Sequence, residues 1–276
     1  MKSPRISVIT VNFNNCEGLQ RTMESVLAQN YADYEYIVVD GGSTDGSVDI
    51  IKEHTNRLSC WISETDNGVY YAMNKAVAQA CGTHCIFMNS GDEFYSPTVL
   101  SEVAEYGCGY DLAVGISSNV MKGKETCRVY PPKEMSLLFW ENYSVIHQAA
   151  FMRTSLLKKF PYDTCYRIVA DWKHMLALYL NQDYRYRALP IVICKFEGGG
   201  LSDNTIKRNA ERDKALAELL PPMLLKDAES MKELRLLAVD EELRSLLKFV
   251  LESRTLTKWL KKHVRLLISL KRLWKK

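Results

Sequence analysis

The stretch "YIVVDGGSTDGS", residues 36–47, sets the pattern of a buried strand directly before a polar loop rich in glycine. The run 36–39 is apolar and mostly β-branched, as expected of a strand that is covered on both faces. Asp40 ends this run, and a carboxylate at the end of a buried strand must be solvated, hydrogen-bonded or bound to a ligand. Capping of the next helix accounts for the polar residues 43–45 but not for Asp40. The stretch therefore predicts a strand, a turn and a helix, and it indicates that the Asp40 carboxylate has a role other than helix capping.

The same alternation of strand and helix runs through the first hundred residues. The predicted strands lie at 5–13, 35–40, 59–64 and 84–89, and the helical patterns lie at 18–29, 47–54 and 69–80, with another helix opening at Pro97. Later in the chain, 111–121 and 188–196 read as strands and 170–182 as a helix. Such alternation predicts an α/β fold with a mostly parallel, Rossmann-like sheet and helices on both of its faces.

The helical pattern 69–80 has an apolar face. Tyr70, Met73 and Val77 fall on one face of this helix, a spacing that is typical of core residues. The sequence therefore predicts that this face packs on the sheet.

The 276 residues divide by composition into a catalytic body and a helical appendage. No clear linker interrupts the first part, which is predicted to be one domain at 1–205. Residues 206–276 read as a C-terminal helical region that is rich in charge and is broken by Pro221 and Pro222. This region ends in a basic amphipathic helix.

The overall composition is that of a water-soluble globular protein, with 47% hydrophobic and 25% charged residues. No window reaches the roughly 18 apolar residues of a transmembrane helix, and the apolar run at the N-terminus is too short for a signal peptide. The eight cysteines form no C-x-x-C pair. We therefore expect free thiols in a reducing cytoplasm rather than disulfides or a zinc site.

The charge is concentrated in the C-terminal tail. Residues 255–276 contain eight Lys or Arg and no Asp or Glu, whereas the first 254 residues carry 28 basic and 33 acidic side chains. The apolar residues of the tail recur at helical spacing: Leu256, Trp259, Leu260, Val264, Leu267 and Trp274. A basic amphipathic helix with tryptophans favours the surface of an anionic membrane. A helix docked on the body competes with this interpretation, and nucleic acid is disfavoured because no known binding fold accompanies the tail.

Polar side chains follow each of the four predicted N-terminal strands. They are Asn12 and Asn14, then Asp40, then Glu64 and Asp66, and finally the stretch from Asn89 to Asp92. In an open parallel sheet, ligands bind beyond the carboxyl ends of the strands. One such residue is ordinarily a helix cap, but four strands that end alike predict a binding site.

A nucleotide with a divalent cation suits these residues. Carboxylates repel phosphate unless a cation lies between them, and Asp92 in "NSGD" is the best candidate to hold Mg²⁺ or Mn²⁺. Asn12 and Asp40 then suit the base and the ribose. The chain has neither a G-x-G-x-x-G nor a G-x-x-x-x-G-K-[ST] motif, so dinucleotide-binding and P-loop modes are not supported.

Four ordered motifs, "SVITVNFNN", "VVDGGSTDGS", "SETDNGVYYAMNKA" and "FMNSGDEF", carry a family resemblance. Together they resemble the family 2 glycosyltransferases with the GT-A fold, most closely the bacterial branch that builds colanic acid, O-antigen and capsule repeats. The resemblance covers about residues 5–200. It implies that Asp92 is the metal ligand of the family's DxD element, in which Asn89 and Gly91 stand where aspartates are common. It also implies contacts with the nucleotide by Val11, Asn12, Asn14, Asp40, Asp66 and Asn89.

The resemblance further implies a catalytic base in the second half of the domain. Asp171, in "RIVADWKHMLAL", matches the family's aspartate at the start of a helix, although a first-turn helix residue is the competing interpretation. Similar enzymes carry "HQA" where this chain has His147 and Gln148, and these two residues with Trp172 are expected to contact the acceptor or the donor sugar. The glycines 199 and 200 belong to a loop that is expected to close over the diphosphate, or simply to connect two elements.

The resemblance implies an inverting, metal-dependent glycosyltransferase, and together with the basic tail it favours a position at the inner face of the bacterial inner membrane. Its partners would be a nucleotide-sugar donor, a lipid-linked glycan acceptor and the membrane surface, with no nucleic acid. A sugar-phosphate nucleotidyltransferase is the alternative enzyme, but "NFNNCEGLQR" stands where its "GGxGTR"-like loop would be expected. A degenerate homologue that acts as a membrane scaffold is the alternative without catalysis.

Deletion of residues 255–276 is expected to move the protein from the membrane fraction to the soluble fraction, because the deletion removes the basic tail. Fractionation of cells that express the full chain or the truncated chain measures the change. An unchanged distribution would favour a tail that is docked on the body.

Overall fold

The computed structural model describes residues 6–121, 123–181, 184–198, 200, 204–227, 249, 252–253, 255–259 and 262–263. Its strands are β1 (Ile6–Asn12), β2 (Tyr34–Asp40), β3 (Cys60–Ser63), β4 (His84–Phe87), β5 (Glu93–Phe94), β6 (Leu112–Met121), β7 (Lys124–Val129), β8 (Ala150–Arg153) and β9 (Tyr186–Glu197). Its α-helices are α1 (Cys16–Leu27), α2 (Ser47–Glu53), α3 (Val69–Gln79), α4 (Val99–Tyr106), α5 (Leu137–Asn142), α6 (Thr154–Lys159), α7 (Ala170–Leu180) and α8 (Thr205–Leu219). Short 3₁₀ turns lie at Thr55–Arg57 and His147–Ala149.

One sheet organises the body, with the strand order β3-β2-β1-β4-β8-β6-β9-β5 and with β7 paired to β6. The first four strands are parallel to one another, as the alternating pattern predicts. The second half of the sheet mixes a parallel pair, β6 with β9, with antiparallel pairs that involve β5, β7 and β8. The fold is thus mixed α/β, and its parallel half lies at the N-terminus.

Helices cover both faces of the parallel half. The side chains of β1 are all buried, and Ile6 and Val8 belong to a core cluster that also contains Met23 of α1. Because successive strand residues point to opposite faces, Ile9 and Val11 lie on the other face. Helix α3 packs against β1 and β2. The continuous apolar runs of the sequence therefore reflect burial on both sides, as predicted.

The chain forms two compact units, 1–220 and 221–276. The predicted boundary at 205/206 falls after the first residue of α8, whereas the division between the two units follows that helix. Helix α8 stays with the first unit because Glu211 accepts hydrogen bonds from the backbone of Ile168 at 2.9 Å, and Glu218 pairs with Lys173.

Much of the predicted tail helix lies outside the described residues. Within 255–276, residues 255–259 and 262–263 are described, and all of them are helical. No helix in the described part of the chain combines the length and the apolar character that a bilayer crossing requires. All eight cysteines are free, and Cys85 and Cys194 are buried.

A buried histidine makes the stability of the fold depend on pH. His174 of α7 is buried, and its ring meets Tyr162 edge-on with 5.2 Å between the ring centroids. Burial lowers the pKa of His174 from 6.5 to about 4. As the pH falls from 6.5 towards 4, His174 becomes protonated in the unfolded chain but stays neutral in the native protein. The free energy of unfolding therefore falls.

We expect His174→Gln to make the free energy of unfolding less dependent on pH. Between pH 6.5 and 4 its slope against pH should decrease by about 1.4 kcal/mol for each pH unit. Urea unfolding of both proteins between pH 5 and 7.5 measures the difference, with His54→Gln as a control at a partly exposed histidine. Identical pH dependence in His174→Gln and the wild type would show that His174 does not cause the effect.

Candidate active site

The register of the parallel strands places three polar residues in a row. Asn12 at the end of β1 is aligned with Asp40 at the end of β2, and Asp40 is aligned with Ser63 at the end of β3. The Nδ2 atom of Asn12 donates to Oδ1 of Asp40 at 2.8 Å, and the hydroxyl of Ser63 donates to Oδ2 at 2.7 Å. The row confirms that the carboxyl ends of the first strands gather polar groups at one edge.

Asp40 organises the loop that follows it. Its side chain has 0% exposure, and Oδ2 also accepts from the backbone N–H groups of Gly42 and Ser43 at 3.1 and 2.9 Å. The Ser43 hydroxyl donates to Oδ1 at 2.5 Å. Burial raises the pKa of Asp40, but the bonds from Ser43, Ser63 and Asn12 outweigh it and leave the pKa lowered. In this conformation the carboxylate contacts protein atoms, so direct contact between Asp40 and a nucleotide stays a prediction.

The other predicted nucleotide residues surround the same loop. The backbone N–H of Asn14, which has a positive φ of 48°, donates to Ser43 Oγ at 2.7 Å. A Cβ atom added to Gly41 would lie 3.2 Å from Asp66 Oδ2 and 3.2 Å from the Phe13 ring. Val11, the residue before Asn12 in β1, is buried. The structure thus brings Val11, Asn12, Asn14, Asp40 and Asp66 together, whereas Asn89, the sixth residue predicted to contact the nucleotide, lies at the cavity described below. Contact of these residues with a nucleotide stays a prediction.

Phe13 is a member of this group that the sequence reasoning missed. Its ring is 65% exposed although it directly follows a buried strand. An exposed aromatic ring at the polar end of a sheet offers a stacking surface for a nucleobase. The available signal was Phe13, an apolar residue flanked by asparagines in "VNFNN", which the sequence analysis counted as the last residue of the predicted strand 5–13.

A second group of predicted residues lines a cavity of about 530 Å³. The predicted residues in its wall are Asn89, Asp92, His147, Gln148, Asp171, Trp172 and Gly200. Asn12, Asp40 and Asp66 lie outside the described lining of this cavity. Gly199 lies outside the described residues. The predicted site is therefore built in two parts, at the loop of Asp40 and around the cavity.

Asn15 connects the two parts. Its Oδ1 accepts from the backbone N–H of Gly18 at 3.2 Å and so caps α1. Its Nδ2 donates to the carbonyl oxygen of Ser90 at 3.0 Å, and Asn15 itself lines the cavity. The loop after β1 is thereby fixed to the loop that carries Asp92.

Asp92 is buried in the cavity wall, with 5% exposure. Gln148 Nε2 donates to its Oδ2 at 2.7 Å, and the backbone N–H of Glu197 donates to its Oδ1 at 3.1 Å. Burial raises the pKa of Asp92 to about 6, and these two bonds and His147 offset part of the rise. Because burial disfavours the charged form of Asp92, a cation beside the carboxylate would stabilise that form.

The residues around Asp92 fit a divalent cation that is shared with a ligand. In the described part of the chain, no group of three or more His, Cys, Asp and Glu side chains is placed to hold a metal ion by itself. Mg²⁺ is commonly bound by one or two carboxylates together with substrate phosphates and water. The Asp92 carboxylate supplies hard oxygen ligands, and the Glu197 side chain, which also lines the cavity, adds negative charge nearby.

Asp171 lies in the first turn of α7, and both of its carboxylate oxygens accept hydrogen bonds. Tyr70 OH donates to Oδ1 at 2.8 Å, and His147 Nδ1 lies 3.0 Å from Oδ2. Burial raises the pKa of Asp171, but the hydrogen bond and charge of His147 and the bond from Tyr70 outweigh it, and the pKa is lowered. Asp171 is thus an ionised carboxylate at the cavity wall.

His147 and Gln148 point to different carboxylates from one 3₁₀ turn. His147 pairs with Asp171, whereas Gln148 binds Asp92. Asn89 Nδ2 lies 2.9 Å from His147 Nε2 and closes the network from the other side. Both residues therefore contact the acidic groups of the cavity, and their contact with the acceptor or the donor sugar stays a prediction.

Trp172 lies in the wall of the cavity, but its side chain is buried. It is 3% exposed, and its Nε1 lies 3.1 Å from the carbonyl oxygens of both Trp140 and Tyr143. The Arg212 guanidinium lies 5.0 Å from the centroid of its ring. Contact between Trp172 and a sugar stays a prediction.

Two further residues of the site were not found from the sequence. Tyr70 is buried, as its helical spacing predicts, but its hydroxyl also reaches Asp171. Glu211 of α8 accepts hydrogen bonds from three successive backbone N–H groups at 167–169, immediately before α7. Glu211 thus holds the turn that presents Asp171. No local pattern signals a contact between residues more than 40 positions apart.

Comparison with known proteins identifies the family of the chain. The family described as "Glycosyl transferase family 2" matches residues 7–166. An uncharacterized glycosyltransferase of Mycobacterium tuberculosis is 35% identical over 218 residues, covering 73% of this chain and 78% of that protein. A PGL/p-HBAD biosynthesis glycosyltransferase of Mycobacterium bovis is 29% identical over 213 residues, covering 75% of this chain and 83% of that protein.

The fold is likewise shared with a solved structure. A mannosyltransferase from Pyrobaculum calidifontis, in complex with GDP-Man and Mn²⁺, aligns with a TM-score of 0.55 and 20% identity over 99% of this chain and 88% of its own. The chain has the GT-A fold, and it belongs to glycosyl transferase family 2 and is a glycosyltransferase.

Proposed function

We propose that this glycosyltransferase moves a sugar from a nucleotide-sugar donor to a hydroxyl of a lipid-linked glycan, with inversion at the anomeric carbon. The reaction would serve bacterial surface polysaccharides such as O-antigen or capsule. The observation that carries the proposal is the cavity, which holds a buried carboxylate fit for a cation, Asp92, and an ionised carboxylate paired with a histidine, Asp171. Sugar transfer requires one group at the leaving diphosphate and another at the attacking hydroxyl.

The donor would span the two parts of the site. The base and the ribose suit the loop of Asn12, Asp40 and Asp66, where the exposed ring of Phe13 offers a stacking surface. The diphosphate would then pass Asn15 and reach Asp92. The fold neighbour that binds GDP-Man and Mn²⁺ supports a nucleotide sugar and a divalent metal as ligands of this fold.

Asp92 would hold Mg²⁺ or Mn²⁺ together with the diphosphate. When bound, the cation would neutralise charge that develops on the leaving group. Gln148 and the backbone of Glu197 orient the Asp92 carboxylate and keep it at the cavity wall. Closure of the loop at residues 199 and 200 over the diphosphate stays a prediction, because Gly199 lies outside the described residues.

Asp171 is the carboxylate on which deprotonation of the acceptor would depend. Its position is fixed from three directions, by Tyr70, by His147 and by the turn that Glu211 holds. Such fixing keeps the reacting groups in one geometry, which is a large part of the catalytic effect of an enzyme.

The location of the acceptor follows from the charge of the tail. We infer a peripheral position at the cytoplasmic face of the inner membrane, where the basic residues of 255–276 would meet anionic lipid. At that surface the enzyme would reach a lipid-linked acceptor. Membership of the glycosyltransferase family disfavours the nucleotidyltransferase alternative. The presence of both Asp92 and Asp171 in the lining of one cavity disfavours a scaffold without catalysis.

A screen of nucleotide sugars tests the proposal directly. UDP- and GDP-linked hexoses, each with Mn²⁺ or with EDTA, are compared by thermal shift and by release of nucleoside diphosphate. We expect one donor to raise the Tm, since a ligand at a hundredfold excess over its Kd adds about 2.7 kcal/mol. The Mn²⁺-dependent part should be lost in Asp92→Asn. A chain that neither binds nor hydrolyses any donor would contradict the proposal.

Asp171→Asn is expected to lower transfer by about 100-fold or more, because the variant removes the charge that supports proton removal. The affinity for nucleoside diphosphate should stay within about threefold, since the variant leaves the loop of Asp40 intact. Calorimetric titration beside a turnover assay measures both quantities. Asp163→Asn is the matched control, because Asp163 pairs with Lys173 outside the cavity lining. Unchanged turnover in Asp171→Asn would remove Asp171 from the mechanism.

A further inference from the structure

Three arginines gather at the cavity that contains Asp171. Arg167 and Arg208 belong to the lining of this cavity. Arg212 follows Arg208 by four residues in α8, and its guanidinium lies 5.0 Å from the centroid of the Trp172 ring. We call Arg167, Arg208 and Arg212 the arginine cluster. None of these side chains has a role in the donor, cation or base contacts proposed above.

The arginine cluster flanks Asp171 in the fold. Arg167 begins the turn 167–169, which leads directly into α7 and Asp171. Arg212 contacts the ring of Trp172, the residue that follows Asp171. The charge of Asp171 also acts on Arg212. The cluster therefore lies on the side of the cavity where the acceptor hydroxyl would approach Asp171.

Two members of the cluster are like charges on one face of α8. Arg208 and Arg212 are four residues apart, so their side chains are neighbours on the helix surface, and like charges at this spacing destabilise a helix. Burial and the charge of Arg208 lower the pKa of Arg212 to about 10. A bound anion would relieve the repulsion between these two side chains.

The hydrogen bonds of Arg212 are with neutral groups. Its Nη2 donates to the carbonyl oxygen of Tyr143 at 3.2 Å and to the hydroxyl of Ser144. Its Nε is buried and has no hydrogen-bond partner within the described residues. The adjacent residue Glu211 uses both of its carboxylate oxygens on the backbone N–H groups of 167–169. Arg212 thus carries its charge without a hydrogen-bonded carboxylate in the described part of the chain.

A phosphate group matches the cluster better than a carboxylate does. Each guanidinium offers parallel N–H donors that bind two oxygens of a phosphate at once. A phosphate monoester presents three acceptor oxygens and up to two negative charges, whereas a carboxylate presents two oxygens and one charge. Two guanidinium groups in the cavity lining, with the charge of Arg212 beside them, suit the larger anion.

An apolar cavity adjoins the arginine cluster. This second cavity has a volume of about 430 Å³, and residues 144–146 line both cavities. Arg212 holds the shared wall through its bonds to Tyr143 and Ser144. Most of the second lining is apolar or aromatic, including Val114, Val129, Tyr130, Pro131, Pro132, Phe139 and Ile146. A phosphate at the arginines would therefore have an apolar space next to it, which suits the first carbons of a lipid chain.

We propose that Arg167 and Arg208 bind the phosphate ester that joins the acceptor saccharide to its lipid, and that Arg212 holds the shared wall and adds positive charge. This inference rests on the proposed function, because it takes the acceptor hydroxyl to lie beside Asp171. The donor diphosphate would stay with its cation at Asp92, so the cavity would hold two separate phosphate groups. Since the acceptor phosphate and the reacting hydroxyl share one cavity, the acceptor would carry a short saccharide on its lipid.

Calorimetric titration of the full chain with geranyl phosphate, a lipid phosphate monoester, tests the inference. The protein is first saturated with Mn²⁺ and with the nucleoside diphosphate of the donor that the screen selects, so that the donor site is filled. We expect geranyl phosphate to bind this loaded protein, and we expect Arg167→Gln and Arg208→Gln each to weaken its binding by about tenfold or more. The affinity for the nucleoside diphosphate should stay within about threefold in both variants.

Lys214→Gln is the matched control for the loss of one positive charge. Lys214 lies on the same helix, but it is outside the lining of the cavity and pairs with Glu218. This variant should bind geranyl phosphate as the wild type does. Arg208→Lys, which keeps the charge but loses the parallel donors, should bind more tightly than Arg208→Gln and more weakly than the wild type. Thermal unfolding of each variant shows whether it folds, and Arg167→Gln, at an exposed residue, decides if the Arg208 variants do not.

Two further ligands identify the group that is recognised. Geraniol lacks the anion, and methyl glucuronide carries a carboxylate in place of the phosphate. Both should bind the loaded protein about tenfold more weakly than geranyl phosphate, or more weakly still. Tighter binding of methyl glucuronide would overturn the assignment to a phosphate ester.

Three results of the titration would overturn the inference. They are no binding of geranyl phosphate to the loaded protein, release of the nucleoside diphosphate when geranyl phosphate is added, and equal affinity in the wild type, Arg167→Gln and Arg208→Gln. If the wild type binds no nucleoside diphosphate, the proposed function fails instead. The same variants are then titrated with geranyl phosphate alone, so the two failures are distinguishable.

Discussion

The parallel alignment of β1 with β2 and β4 is the constraint on which the rest of the site depends. This alignment sets Asn12 beside Asp40, and it continues past β4 where the backbone N–H of Ser90 donates to Val11 at 3.2 Å. The polar ends of separate strands therefore meet at one edge, where loops and helix N-termini supply further donors. A register shift of one residue would turn Asn12 and Asp40 to opposite faces. The burial of β1 and β2 on both faces makes such a shift costly.

The cavity is built on that edge by long-range contacts. The turn at His147–Ala149 reaches Asp92 with one side chain and Asp171 with the next, so two acidic groups of different role share one support. Helix α8 adds a second support, since Glu211 holds the backbone at 167–169. The same arrangement explains why the two carboxylates differ. Burial dominates at Asp92 and raises its pKa, whereas donors dominate at Asp171 and lower it.

The N-terminal half of the fold could be predicted because its information is local. Continuous apolar runs, glycine loops and helical spacing mark β1 to β4 and the helices between them, and all four strands form near the predicted residues. The middle was less accessible. β5 has two residues, β7 is exposed throughout, and β8 depends on pairing with β4 and β6. Short strands that are stabilised by distant partners leave little periodicity in the sequence.

The site shows the same division. Asp92, His147, Gln148 and Asp171 carry motif signals, and the structure brings them to one cavity. The carboxylate of Asp40 accepts hydrogen bonds from the loop that follows it, which no sequence pattern indicated, and its contact with a nucleotide stays a prediction. Tyr70 shows why a helical pattern is not enough: one side chain can be buried along its ring and still place its hydroxyl on Asp171. A period of 3.6 residues reports the burial of the ring but not the partner of the oxygen.

The central claim is that the loop of Asp40 and the cavity of Asp92 form one continuous nucleotide site. A crystal structure with a nucleoside diphosphate and Mn²⁺ tests it most directly. The account predicts the base beside Phe13 and Asp66, the diphosphate along Asn15, and Mn²⁺ between the diphosphate and Asp92. A nucleotide bound away from that sheet edge, or Mn²⁺ bound without any contact to Asp92, would contradict the account.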